Sequence, residues 1–245
     1  MSSRDVGQAK RSRWRQLAHW VASHERVTLA AGAIVVGAIW LFVELLDEVT
    51  EGETLDVDRA ILTAFRQGDD YGDALGPMWF EELVRDITAL GSVGVLVLLS
   101  LSVVGYLMLR GQRRTALYVV FCIGGGAVLN FASKALIGRP RPDVVPHADT
   151  VQTASFPSGH STMAAVTFLT LAALTARAHD DNLQRGYLLF LGGLLTVIVG
   201  VSRVYLGVHW PSDVLAGWCL GTAWAFACYV VAVELQRRAM LEEPT

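Results

Sequence analysis

An all-α membrane protein, with six transmembrane helices in one bundle and short interfacial helices between the first two, is the fold class that the sequence predicts. Of its 245 residues, 53% are hydrophobic and only 18% are charged. Mean hydropathy is positive, at +0.42. Six apolar runs recur along the chain, at Val27 to Val43, Val93 to Leu109, Thr115 to Ser133, Ser161 to Ala176, Tyr187 to Val201 and Val214 to Val233. A helix needs roughly 20 residues to cross a hydrocarbon core of about 30 Å, so the shorter runs must borrow flanking residues.

The first run follows a basic stretch but is too long for the hydrophobic part of a signal peptide, and no small-residue cleavage pattern follows Glu44 and Leu45. It is expected to stay as an anchor. Orientation then follows from Lys and Arg, which are retained on the cytoplasmic side. Arg4, Lys10, Arg11, Arg13, Arg15 and Arg26 precede the first run, and Arg110, Arg113 and Arg114 separate the second from the third. Arg177 and Arg185 separate the fourth from the fifth, and Arg237 and Arg238 follow the sixth. All four groups share the cytoplasmic face in this reading. The acid-rich stretch from Asp47 to Asp73 then belongs outside.

Within that outer stretch Val57, Ala60, Ile61, Ala64 and Phe65 fall at helical spacing, as do Phe80, Leu83, Val84 and Ile87 beyond Pro77. Each predicts a short helix at the membrane surface, with Trp79 at headgroup depth. Such helices could cover the bundle or admit a substrate. The expected layout is a basic cytoplasmic segment over 1–26, one six-helix domain over 27–235 with an outer loop over 47–91, and a cytoplasmic tail over 236–245. Cys122, Cys219 and Cys228 lie in apolar runs and read as packing residues. Gly124 to Gly126, Gly192 with Gly193, and Gly217 with Gly221 are suited to close helix approach. The last pair, spaced Gly-x-x-x-Gly, suits packing inside one bundle more than a dimer interface.

Polar residues interrupt the apolar pattern at four helix ends. Lys134 ends the third span, Pro157-Ser158-Gly159-His160 opens the fourth, Ser202-Arg203 ends the fifth, and His209 with Asp213 opens the sixth. With an even count of spans between them, all four points meet on the outer face. Lys134, Arg141 and Arg203 can stabilise charge on the equatorial oxygens of a transferring phosphoryl group. Any one alone reads equally as a cation snorkelling to the headgroups. Ser158 and Gly159 precede a helix whose unpaired amides and positive dipole end favour an anion, although the same residues make an ordinary turn and helix start. His209 and Asp213 stand one helical turn apart, so the carboxylate can hold one ring nitrogen and leave the other as a nucleophile. His160 is then the candidate general acid. His19, His24, His147 and His179 accompany no phosphate-binding residues and read as structural.

The spacing Lys134-x6-Arg141-Pro142, the tetrad Pro157-Ser158-Gly159-His160, and Ser202-Arg203-x5-His209-x3-Asp213 resemble the three signatures of the type 2 phosphatidic acid phosphatase superfamily. The resemblance implies that His209 attacks phosphorus to give a phosphohistidine, that Asp213 orients it, and that His160 protonates the leaving oxygen. Lys134, Arg141, Ser158, Gly159 and Arg203 match its phosphate-binding positions. It further implies no cofactor or metal, a lipid phosphate partner among membrane lipids, and no nucleic acid. Candidate substrates are undecaprenyl diphosphate, phosphatidylglycerol phosphate and phosphatidic acid, taken at the outer face of an inner membrane. The superfamily also holds vanadium haloperoxidases, and a non-catalytic lipid-phosphate binder or transporter is the other alternative.

Overall fold

The computed structural model describes residues 3–68, 70–143 and 154–242, and side chains within 27–68, 72–143 and 154–237. His147 and the C-terminal residues 243–245 lie outside the described residues, and the side chains of His19 and His24 fall before the described ones. The chain opens with α1 (Ser3–Glu51), which runs unbroken through the first apolar run. Next come α2 (Leu55–Thr63), the antiparallel strands β1 (Arg66–Gln67) and β2 (Asp70–Ala74), and α3 (Met78–Ala89). The remaining elements are α4 (Val93–Leu109), α5 (Arg113–Leu136), α6 (Gly159–Ala176), α7 (Asn182–Tyr205) and α8 (Pro211–Glu242).

Five helices are long and apolar enough to cross a membrane, and α3 with α4 forms a sixth if the pair, bent by 48°, is one broken span. The two expected short helices exist, as α2 and α3. However, the second span differs from expectation, because α4 alone has 17 residues and reaches spanning length only with α3 as its outer arm. The break has a local cause. Leu90, Gly91 and Ser92 close the end of α3 through bonds back to Ile87, Thr88 and Ala89, and the Ser92 side chain accepts from Val95 N to restart the chain as α4.

The centre of the bundle is α6, which packs against α4, α5, α7 and α8. Its sequence is rich in Ala, Ser and Thr, so neighbouring backbones come close on several sides at once. Gly217 and Gly221 face it from α8. A Cβ on Gly217 would stand 2.8 Å from Ser158 O, and one on Gly221 would stand 2.5 Å from Thr162 O. The Gly-x-x-x-Gly pair therefore packs within the bundle. Gly192 does the same from α7, where a Cβ would lie 2.6 Å from Ala172 Cβ, whereas Gly193 and Gly124 face nothing within 4 Å. In α5, Gly125 admits the Trp224 ring, and Gly126 admits both Val166 and that ring. The three cysteines are free and buried.

Candidate functional site

The C-terminus of α7 shows how the fold builds the site. Gly207 has φ +70°, a left-handed conformation that a Cβ opposes, and it lets Gly207 N bond to Val204 O at 2.9 Å and Val208 N bond back to Arg203 O at 3.2 Å. This turn stops α7 just after Arg203 and swings the chain so that His209 precedes Pro211, the first residue of α8. Asp213 then falls in the first turn of α8. Its backbone oxygen accepts from Ser158 N at 2.9 Å, which ties the start of α6 to the start of α8.

His209 is 2% exposed and Asp213 is fully buried. Their closest ring nitrogen and carboxylate oxygen, Nδ1 and Oδ2, are 3.5 Å apart. Ser155 completes the link: its hydroxyl donates to Asp213 Oδ2 and stands 3.3 Å from His209 Nδ1. Trp210 N also donates to Asp213 Oδ2, at 3.0 Å. On the other side of the ring, Arg141 Nη1 lies 3.4 Å from Nε2 and donates to Val208 O at 2.8 Å. A guanidinium has no acceptor, so its approach to Nε2 matches a lone pair there. The Ser155 hydroxyl, already donating to Asp213, matches a proton on Nδ1. Donor and acceptor roles thus assign the tautomer with the proton on Nδ1 and the lone pair on Nε2.

Lys134, in the last turn of α5, donates to Ala154 O at 2.7 Å. Arg203 donates to Thr88 Oγ1 of α3 at 3.0 Å. Lys134, Arg141, Arg203 and the His209 ring all act electrostatically on His160. Burial lowers the Arg141 guanidinium from its ordinary value, and Asp213 works against that fall. Ser158 caps α6, its oxygen accepting from Ser161 N at 3.5 Å and Ser161 Oγ at 3.0 Å. The helix-start alternative is thereby realised, and a hydroxyl that accepts twice still has its own proton to give. A Cβ on Gly159 would lie 3.4 Å from Asn130 Nδ2 and 3.6 Å from Lys134 Cε, so this glycine leaves the helix N-terminus open between them. All eight predicted site residues thus belong to one end of the bundle. His179 instead caps the other end of α6, with Nδ1 2.9 Å from Thr175 O.

Sequence reasoning missed four members of this constellation. Ser155 and Asn130 carry no spacing rule that sets them apart. Arg139 and Asp58 form a buried ion pair at 2.8 Å, and Arg139 also pairs with Asp213 at 2.7 Å. An arginine repeat, Arg139-Pro140-Arg141-Pro142, was the available signal. Among the described residues, no group of three or more His, Cys, Asp or Glu is placed to hold a metal ion.

The chain matches the PAP2 superfamily over residues 115–237, which include all the signature positions. Phosphatidylglycerophosphatase B of Bacillus subtilis is 34% identical over 147 residues, which cover 58% of this chain and 70% of that protein. Undecaprenyl-diphosphatase of Sulfolobus acidocaldarius is 33% identical over 93 residues, 38% of this chain and only 36% of its own length. Among solved structures, a transmembrane PAP2 type phosphatidylglycerolphosphate phosphatase from Bacillus subtilis shares the fold with a TM-score of 0.72 at 29% identity. That likeness covers 82% of this chain and 96% of the other.

Proposed function

Because the chain belongs to the PAP2 superfamily, we propose that it is an integral-membrane phosphatase that hydrolyses a lipid phosphate or diphosphate through a phosphohistidine on His209, without a metal. The observation that carries this reading is the state of His209. Its Nε2 faces Arg141, while its Nδ1 is held from behind by Ser155 and Asp213.

The steps follow from that arrangement. A phosphate drawn between Lys134, Arg141, Arg203 and the N-terminus of α6 takes over the donors that now point at backbone and hydroxyl oxygens. His209 Nε2 attacks phosphorus, and the bond from phosphorus to the lipid oxygen breaks with its electron pair on that oxygen. His160, which takes up a proton when the negative phosphate binds beside it, gives this oxygen that proton. The ring becomes a phosphorylated cation, which Asp213 stabilises. Water, deprotonated by the now neutral His160, then attacks phosphorus and releases inorganic phosphate and the free His209 ring. Three cations supply charge stabilisation of the kind that a metal supplies in other phosphoryl-transfer sites.

A lipid substrate is supported by the setting. The relatives are named for phosphatidylglycerophosphate and undecaprenyl diphosphate, so the shared class is a phosphate on a polar lipid. Beside Ser202 lies an apolar cavity of about 350 Å³, lined by Phe65, Leu75, Phe80, Val84 and Val201 among others, which suits an acyl or prenyl chain. The basic groups at the opposite end of the bundle support an outer-face site. His209→Ala is expected to abolish phosphate release while the protein still folds. Assay in detergent against undecaprenyl diphosphate, phosphatidylglycerol phosphate and phosphatidic acid checks this, and wild-type-like turnover on any of them removes the mechanism.

A further inference from the structure

Asp58 lies on α2, far from the signature residues in sequence, yet it is 2% exposed and fully engaged. Its Oδ2 pairs with Arg139 Nη2 at 2.8 Å and accepts from Ser212 Oγ at 2.5 Å, while Oδ1 accepts from Ser212 N at 2.9 Å. Arg139 carries the connection onward. Its Nη1 donates to Asp213 Oδ1 at 2.7 Å and to Ser212 Oγ at 2.8 Å, and its Nη2 also reaches Thr54 Oγ1 at 3.2 Å. The guanidinium stands 5.6 Å from the Trp210 ring centre, in cation–π range. The side chains are 8% exposed for Arg139, 3% for Asp58 and 0% for Asp213.

We propose that Arg139, anchored by Asp58, is a positioning residue for the reaction: it holds Asp213 Oδ1 so that Oδ2 is presented to Ser155 and His209. The inference rests on His209 being the nucleophile. Two carboxylates share one guanidinium, so the cluster carries one net negative charge, which faces the positive ring of the phosphohistidine. A forked guanidinium fixes both carboxylates in direction, which a lysine cannot do. The outer helix α2 thereby becomes part of the catalytic support, and its docking sets the orientation of a ring it does not touch.

The charged or titratable groups that act on His209 are Asp213 from α8, Arg141 from the connection before α6 and Arg203 from α7, and His160 from α6 interacts with the ring in turn. Against this fixed background, removal of one charge at a time has a signed effect. Arg139→Gln leaves the Asp213 charge without its counter-cation, so His209 holds its proton to higher pH and the acidic limb of kcat/KM moves up. Asp58→Asn leaves Arg139 to neutralise Asp213 alone, so the limb moves down. Purified variants in detergent are compared on one lipid phosphate, whose own ionisation is common to all. In both, kcat is expected to fall by about 10- to 100-fold, by analogy with the loss on removing the partners that orient metal-bound histidines. KM is expected to stay within about threefold, since the phosphate-binding residues are untouched. Arg139→Lys is expected to recover only part of the loss. If Arg139→Gln yields no folded protein, the direction of the limb in Asp58→Asn decides. Wild-type kcat in the variants, or limbs that do not move, beside an inactive His209→Ala, overturns this proposal alone. Full activity of His209→Ala overturns the nucleophile assignment, and this proposal with it.

Discussion

Burial pushes the His209 imidazole from its ordinary value of 6.5 down to about 4, further than Asp213 can hold it up, and Arg141 and Arg203 add to the fall. A nucleophilic imidazole must be neutral, so a lowered value keeps it active into acid. At pH 5.5 a ring titrating at 4 is about 97% neutral, against about 9% for an unperturbed one. We therefore expect the acidic limb of kcat/KM, corrected for the separately measured ionisation of the substrate, to fall only as pH drops through about 4. A midpoint near 6.5 would show that the ring is solvated in the working enzyme. His209, Asp213 and the three cations were legible because they recur at short, fixed spacings around helix ends. Asp58 and Arg139 were not, because 81 residues separate them and Asp58 is one acid among many in its stretch. A pair of that kind exists only once α2 docks on the start of α8.

At the level of elements, the break between α3 and α4 decides where His160 can stand. A Cβ on Gly91 would come within 2.5 Å of Val199 Cγ1 and 3.3 Å of His160 Cδ2. Val199 is branched at Cβ and buried in α7, so it has little freedom to yield. Gly91→Ala is thus expected to destabilise the protein by about 1–3 kcal/mol through overpacking and to lower kcat by displacing the His160 ring. Thermal unfolding and turnover measured on the same preparation check it, and a variant that matches the wild type in both removes the close-packing argument. The spacing of Phe80, Leu83, Val84 and Ile87 revealed the α3 helix, but periodicity says nothing about how a helix is tilted or what it continues into. The hairpin of β1 and β2 was missed for a related reason. It is short, lies in acid-rich sequence, and is held by long-range bonds: Arg66 donates to Tyr205 O at 2.6 Å, and Tyr205 donates to Leu75 O at 2.8 Å. These bonds fasten the outer segment to the end of α7, next to Arg203.

Across the whole molecule, the arginines of the α4–α5 and α6–α7 connections lie at the end opposite the candidate site. The ends of α6 and α8 meet where Arg177 donates to Gln236 Oε1 at 2.6 Å and stands 5.7 Å from the Tyr229 ring centre. Lys134, Ser158, Arg203 and His209 gather at the other end. If retained Lys and Arg mark the cytoplasm, the phosphate site opens outward and its substrate comes from the outer leaflet. The three native cysteines are buried, which gives a low background for thiol labelling. Asp73, in the outer segment, and Gln112, between α4 and α5, are both exposed and lie on opposite sides in this topology. A membrane-impermeant maleimide is expected to label Asp73→Cys in intact cells and Gln112→Cys only after permeabilisation. The reverse pattern would turn the site towards the cytoplasm. It would also mean that the helix ends bearing Arg113, Arg114, Arg177 and Arg185 had been translocated against the charge rule, so another force would have to account for the orientation.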